Sequence, residues 1–225
     1  YEEIHELEPG TNLFYSVEEN FARFKKYYNL SDVLLETHIE TDERVLINKY
    51  KTHFSQSIDL HMRSDVPVGA CLSGGLDSSG IVAYASKLLN RDLFNTFTTK
   101  FNEPEIDESH FVELIAKENK LIRPFYTTPT IEGFMKVLDK IIWHQDVPFH
   151  GFNMIAQWEV MRLASQNNIK VLLDGQGADE ALGGYRSFAG ILLIDQLRNF
   201  QFRRFLNNVN NLKRNRSINI LMEVA

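Results

Sequence analysis

The sequence predicts an α/β fold: a parallel sheet with helices on both faces, preceded by a short β-hairpin. Three observations carry this. From about residue 66 onward, short apolar runs alternate with amphipathic stretches of helical period, the pattern of successive βαβ units. Two of the apolar runs pass directly into glycine-rich turns, Leu72-Ser73-Gly74-Gly75-Leu76-Asp77-Ser78-Ser79-Gly80 and Asp174-Gly175-Gln176-Gly177-Ala178-Asp179-Glu180-Ala181-Leu182-Gly183-Gly184-Tyr185. The chain, with 225 residues of which 44% are hydrophobic, is long and apolar enough to bury a sizeable core.

Residues 1–30 alternate polar and apolar around Glu8-Pro9-Gly10-Thr11, with Ile4 and Leu7 before it and Leu13, Phe14 and Tyr15 after it. Pro and Gly place a hairpin turn there. Residues 31–42 are mixed and polar and read as a connector. A helix then begins at Glu43, because Leu46, Tyr50, Phe54, Ile58 and Met62 recur every fourth residue behind Thr41 and Asp42. His53 and His61 flank that stripe without further ligands at suitable spacing, so they read as helix-surface residues rather than as metal ligands.

The α/β pattern follows. A strand over 66–72 leads through the first turn to a helix over 78–90. Leu93 to Phe101 is the next strand, and Glu108 to Asn119 a helix with Phe111, Val112, Leu114 and Ile115 facing inward. Ile122 to Tyr126 contains Pro124, which cannot donate to a ladder and places this strand near an edge. Helices over 130–143 and 153–168 precede a strand at Lys170 to Asp174. Between them Trp143 to Gly151 reads as a loop anchored by Trp143 and Phe149, with His144 as part of it.

Composition excludes several classes. A formal charge of −6 argues against non-specific nucleic-acid binding. The basic C-terminal residues Arg198, Arg203, Arg204, Lys213, Arg214 and Arg216, interleaved with Phe200, Phe202 and Phe205, read as solvated helix faces whose Phe and Leu residues pack inward. Apolar runs such as Ile191 to Ile194 are far too short to span a membrane, and the acidic start Tyr1-Glu2-Glu3 does not resemble an export signal; a cytoplasmic location is expected. The single Cys71 excludes an internal disulfide and reads as a buried packing thiol. The chain begins with Tyr rather than Met, and a fragment is expected.

The chemistry lies in the two turns. A glycine-rich turn into a helix gathers backbone N–H groups and the positive helix end at one point, a cradle for phosphate. The lysine-containing version of such a loop does not fit, since no Lys occurs from Leu72 until Lys87. Asp77 stands there instead, and a carboxylate beside phosphate requires a divalent cation such as Mg²⁺ between them. In the second turn Asp179 and Glu180 occupy a first helical turn, where capping alone would account for them. Both turns, however, leave the carboxyl ends of strands in one predicted sheet, where ligands bind, so Asp77 and Asp179 can meet there. A third acidic set, Asn102 to Glu108, follows the second strand; Asp107 and Glu108 read as the start of the next helix.

Ser73-Gly74-Gly75-Leu76-Asp77-Ser78-Ser79 resembles the pyrophosphate loop of the ATP-pyrophosphatase superfamily. Together with Phe101 to Glu108 and Asp174 to Glu180, it resembles the synthetase domain of glutamine-hydrolysing asparagine synthetases. The resemblance implies an adenine nucleotide α-hydrolase-like fold. It also implies residues 1–30 as the tail of an N-terminal glutaminase domain, 31–42 as a connector, and 43–225 as the N-terminal part of a truncated synthetase domain. The activity implied is a two-step ligation with ATP and Mg²⁺: adenylation of the aspartate side chain with release of pyrophosphate, then displacement of AMP by ammonia from glutamine. A homodimer without nucleic-acid or membrane partners is implied as well.

Residue by residue, Ser73, Gly74, Gly75, Asp77 and Ser78 match the pyrophosphate loop. Leu72, Thr99, Asp174 and Gly175 match nucleotide-contacting positions, Asp77 and Asp179 match the Mg²⁺-pyrophosphate carboxylates, and Asp77, Gln176, Asp179 and Glu180 are the catalytic candidates. At Gln176 the best-known asparagine synthetases carry Glu. Gln orients a substrate by hydrogen bonds but cannot take a proton, which leaves open another carboxylate acceptor, such as a sugar acid or a cyclised precursor, or an ATP-binding module without catalysis. The family's further phosphate-assisting Lys is expected beyond Ala225, and the piece alone is expected to be inactive.

Overall fold

The computed structural model describes residues 4–36, 42–89, 92–146, 149 and 153–214. The chain divides into two compact units, one up to His53 and one from Phe54.

In the first unit β1 (Thr11–Ser16) pairs antiparallel with β2 (Phe21–Lys26), from Thr11 opposite Lys26 to Ser16 opposite Phe21. The hairpin is present, but its turn lies at 17–20, not at Glu8-Pro9-Gly10-Thr11. Asn20 supplies the left-handed residue at φ 47, a conformation Asn tolerates. The Ser16 hydroxyl accepts from Glu19 N–H at 3.3 Å, and the Tyr15 hydroxyl donates to Asn20 Oδ1 at 2.6 Å. Pro9-Gly10 is also a turn, but one that closes the open end of the ladder: the Gly10 carbonyl accepts from Tyr27 N–H at 2.8 Å. The stretch read as a connector carries α1 (Leu30–Glu36).

Helix α2 (Glu43–His61) starts on Asp42, whose Oδ1 accepts from Arg44 N–H at 2.8 Å. Its apolar stripe joins the core only in the second half, with Ile58 buried and Phe54 and, just past the helix end, Met62 partly buried against it; Leu46 and Tyr50 are exposed.

The second unit is built on four parallel strands, β3 (Val68–Cys71), β4 (Phe94–Thr99), β5 (Ile122–Thr127) and β6 (Val171–Leu173), in the order β5-β4-β3-β6. Pro124 lies in β5, which among the described residues is an edge strand paired with β4, consistent with its missing N–H. The helices are α3 (Leu76–Leu88), α4 (Ser109–Glu118), α5 (Ile131–Gln145), α6 (Asn153–Gln166), α7 (Ala178–Leu182), α8 (Arg186–Arg198) and α9 (Phe202–Arg214). Alternation along β4 divides the core between the two faces of the sheet. Phe94 packs with Ile58, Val82 and Val112 from α2, α3 and α4, and Phe97 packs with Val160 and Ala164 from α6.

On α4 the buried stripe is Ser109, Val112 and Ile115, whereas Phe111 and Leu114 are exposed, because residues 109, 112 and 115 share one face at helical spacing. Trp143 is 79% exposed and anchors nothing, while Phe149 is half-buried. Phe200, left-handed at φ 55 in the turn between α8 and α9, and Phe202 are exposed rather than packed inward. Val147, Pro148, His150 and Gly151 of the loop, and Arg216 of the basic segment, lie outside the described residues. No helix among the described residues is long and apolar enough to cross a membrane.

Candidate active site

The first turn is built from the end of β3. Leu72, fully buried, donates its N–H to the Phe97 carbonyl at 3.0 Å and accepts the Thr98 hydroxyl at 2.7 Å, which holds the turn to the neighbouring strand. Two serines then knit it together. Ser73 N–H donates to Ser78 Oγ at 3.2 Å, the two hydroxyls share a hydrogen bond at 3.0 Å, and Gly75 N–H donates to Ser73 Oγ at 3.2 Å.

Gly74 is left-handed at φ 94, and a Cβ there would lie 2.8 Å from Phe111 Cβ, so both its backbone and the approach of α4 require glycine. Helix α3 begins at Leu76, two residues earlier than its sequence suggests, behind Gly75 and with no side-chain cap. Asp77 therefore sits in the first helical turn, where N–H groups lack intrahelical acceptors.

The second turn leaves β6, the strand beside β3. Gly177 at φ 93 leads into α7, and Gly183 at φ 70 ends it. The two turns are in contact: a Cβ on Gly175 would lie 3.2 Å from both Asp77 Cβ and Ser78 N. Between them lies a cleft of about 220 Å³, lined on one side by Ser73, Gly75, Asp77 and Ser78 and on the other by Asp174 to Gly177, Asp179, Glu180 and Tyr185. A larger cleft of about 630 Å³ adjoins it, reaching over β4 and α6, and is lined by Leu72, Phe97, Thr99, Phe101, Glu108 and Gln157 among others. Cys71, Ser73, Asp174 and Gln176 line both.

Every candidate residue except Gly74 thus borders one of two connected spaces; Gly74 shapes the turn without lining either. Thr99 lies in the larger cleft, its hydroxyl donating to the Ala156 carbonyl at 3.4 Å. The sequence reading missed Tyr185 as a wall of the smaller cleft. Its hydroxyl donates to Glu180 Oε1 at 2.7 Å, a bond that holds the Glu180 carboxyl below its ordinary range and raises the phenol. Tyr185 stood within the quoted motif, but only the Gly183-Gly184 return turn reveals where it points.

Asp107 stays outside both clefts. It accepts the Ser109 hydroxyl at 2.7 Å and the Phe101 N–H at 3.1 Å, and the Ser109 bond above all holds its carboxyl below the usual range. It is a loop clasp ahead of α4, while Glu108 lines the larger cleft. Cys71 is pushed up to about 12 by burial and by the neighbouring Asp174 charge, which makes it a poor nucleophile.

A parallel sheet with a lysine-free glycine-rich turn after one strand and a facing acidic turn after its neighbour defines an α/β domain of the pyrophosphate-loop type. Over residues 49–224 the chain matches the family model described as asparagine synthase, and it belongs to that family. It is 32% identical over 191 residues to asparagine synthetase (glutamine-hydrolyzing) 1 of Bacillus subtilis, covering 82% of this chain and 28% of that protein. To asparagine synthetase (glutamine-hydrolyzing) 2 of the same organism it is 28% identical, covering 95% of this chain and 28% of the relative. It is also 24% identical to the protein named amidase chyE of Penicillium rubens, covering 85% of this chain and 30% of that protein. The chain spans about a third of the length of the curated relatives it matches.

Proposed function

We propose that the full-length protein is an ATP-dependent amide ligase of the asparagine synthetase type. The observation that carries this is the single cleft shared by two glycine-rich turns, with Asp77 on one wall and Asp179 on the other. In this reading the smaller cleft receives the β- and γ-phosphates, cradled by the N–H groups of the first turn and of α3. The larger cleft receives the adenosine, and the two join at Ser73, Asp174 and Gln176, where the α-phosphate would lie. The aspartate side-chain carboxylate forms a bond to the α-phosphorus as the bond to the pyrophosphate oxygen breaks. Ammonia then adds to the acyl carbon, loses a proton to solvent, and AMP leaves with the bonding pair. The protein contributes alignment and charge stabilisation at the junction of the clefts.

Two carboxylates on opposite walls suit a Mg²⁺ ion that takes its other ligands from phosphate and water. Such an ion would offset the charge between Asp77, Asp179 and the leaving pyrophosphate. Gln176, at the junction, can orient an acceptor carboxylate through its amide but cannot accept a proton.

The same reading places residues 1–30 in a glutaminase domain that supplies ammonia, 31–42 as the connector and 43–225 in the synthetase domain. The single Cys71 and the absence of a membrane-length helix among the described residues support a cytoplasmic enzyme. A homodimer completes the proposal, and sedimentation of the full-length protein tests it. Incubated with ATP, Mg²⁺, aspartate and glutamine, the full-length protein is expected to yield AMP, pyrophosphate and asparagine. No pyrophosphate release would overturn the assignment.

Gln176 favours one second reading, an amidotransferase with a different carboxylate acceptor. A panel of acceptors scored by pyrophosphate release separates the two, and turnover of aspartate alone removes the second.

A further inference from the structure

The acidic wall of the smaller cleft is carried by α7, a helix of five residues with no side-chain cap, too short to hold its carboxylates by helical packing alone. What steadies it is the chain that follows. Gly184 N–H donates to the Asp179 carbonyl at 2.9 Å, and Gly184 lies so close that a Cβ there would collide with the Asp179 carboxylate. This return delivers Tyr185 onto Glu180, hydroxyl to Oε1 at 2.7 Å, with the Tyr185 ring set edge-on to Phe188 at 5.6 Å. Tyr185 is 43% exposed and lines the smaller cleft, so its hydroxyl bond to Glu180 is not one that burial in the core demands. Among the described residues, its side-chain hydrogen-bond partner on the cleft wall is the carboxylate beside Asp179.

We propose that Tyr185 is a positioning residue that acts through Glu180, holding the acidic wall in the orientation that receives the metal-bound pyrophosphate end of the nucleotide. This rests on the ligase reading above and assigns a task to a residue that touches neither acceptor nor base in that reading.

The test uses the full-length protein and calorimetric binding of two probes, inorganic pyrophosphate with Mg²⁺, and AMP. Tyr185→Phe keeps the ring against Phe188 and removes only the hydroxyl. Its Kd for pyrophosphate is expected to rise about three- to tenfold, the worth of one net hydrogen bond, with AMP affinity unchanged. In a Glu180→Ala background the Tyr185→Phe change is expected to add no further loss.

Wild-type affinity for pyrophosphate in Tyr185→Phe would overturn the proposal, as would an equal loss with Glu180 absent or an equal loss of AMP binding. If the wild-type protein binds no pyrophosphate with Mg²⁺, the ligase reading fails first and this inference with it. Normal wild-type binding with an unaffected Tyr185→Phe variant sinks this inference alone.

Discussion

The backbone of Gly175 lies directly against Asp77: a Cβ on the glycine would be 3.2 Å from the Cβ of the aspartate. Two turns from distant parts of the chain thereby approach so closely that a side chain at Gly175 would crowd Asp77, and both turns line the cleft between Asp77 and Asp179. Gly175→Val would force branched methyls into this contact. We expect a loss of about 1–3 kcal/mol of stability from overpacking and about a tenfold rise in the Kd for ATP, read by denaturant unfolding and calorimetry. Unchanged nucleotide affinity would show that the two turns do not act together.

Asp77→Asn keeps the shape of the side chain and removes its charge. If Asp77 faces the phosphates through Mg²⁺, the variant should lose most of the Mg²⁺-dependent part of pyrophosphate binding, roughly tenfold or more for one charge-assisted contact, while AMP binds as before. Titrating the magnesium dependence of pyrophosphate affinity checks this; an unaltered dependence would remove Asp77 from the metal site.

Gly74→Ala tests the turn itself. At φ 94, with Phe111 Cβ only 2.8 Å from the added methyl, the substitution combines a strained backbone with a clash against α4. A destabilisation of about 2 kcal/mol or more is expected, measured by urea unfolding. A loss well below that would mean α4 moves aside freely.

Asp107 sets a pH dependence. Its folded pKa lies below the ordinary value of 3.8, so its contribution to stability is fully present above that value and is lost as pH falls through the lower folded pKa. Comparing thermal midpoints of wild type and Asp107→Ala from pH 6 to pH 2 (roughly the span that brackets a carboxylate titration), the gap between them should be constant at the upper end and narrow at the acid end. A gap that widens on acidification would contradict the clasp.

Cys71, pushed up to about 12, should be nearly inert towards iodoacetamide at neutral pH. Its thiolate population is more than roughly a hundredfold below that of an ordinary cysteine. Mass spectrometry after timed alkylation reads this, and labelling as fast in the native as in the urea-unfolded chain would refute it.

Much of the second unit was legible because its determinants are local. Strand runs, helical stripes, Pro124 at an edge and the two glycine-rich turns all follow from side-chain period and backbone sterics within a few residues. Where two local preferences competed, sequence alone chose wrongly. Pro9-Gly10 reads as the hairpin turn for its turn residues, whereas the strands pair across residues 17–20: nothing in a turn segment by itself states which strands pair across it. Phe111 and Phe202 were placed inside for their apolarity, although which helical face is buried depends on what packs against it.

By itself the sequence determined the two glycine-rich turns and the residue types they present. Only the tertiary structure placed β6 beside β3, set Gly175 on Asp77 and turned Tyr185 back onto Glu180. Strand order and the contacts across it arise from burying both faces of a sheet at once, a collective packing energy that no short stretch of residues carries.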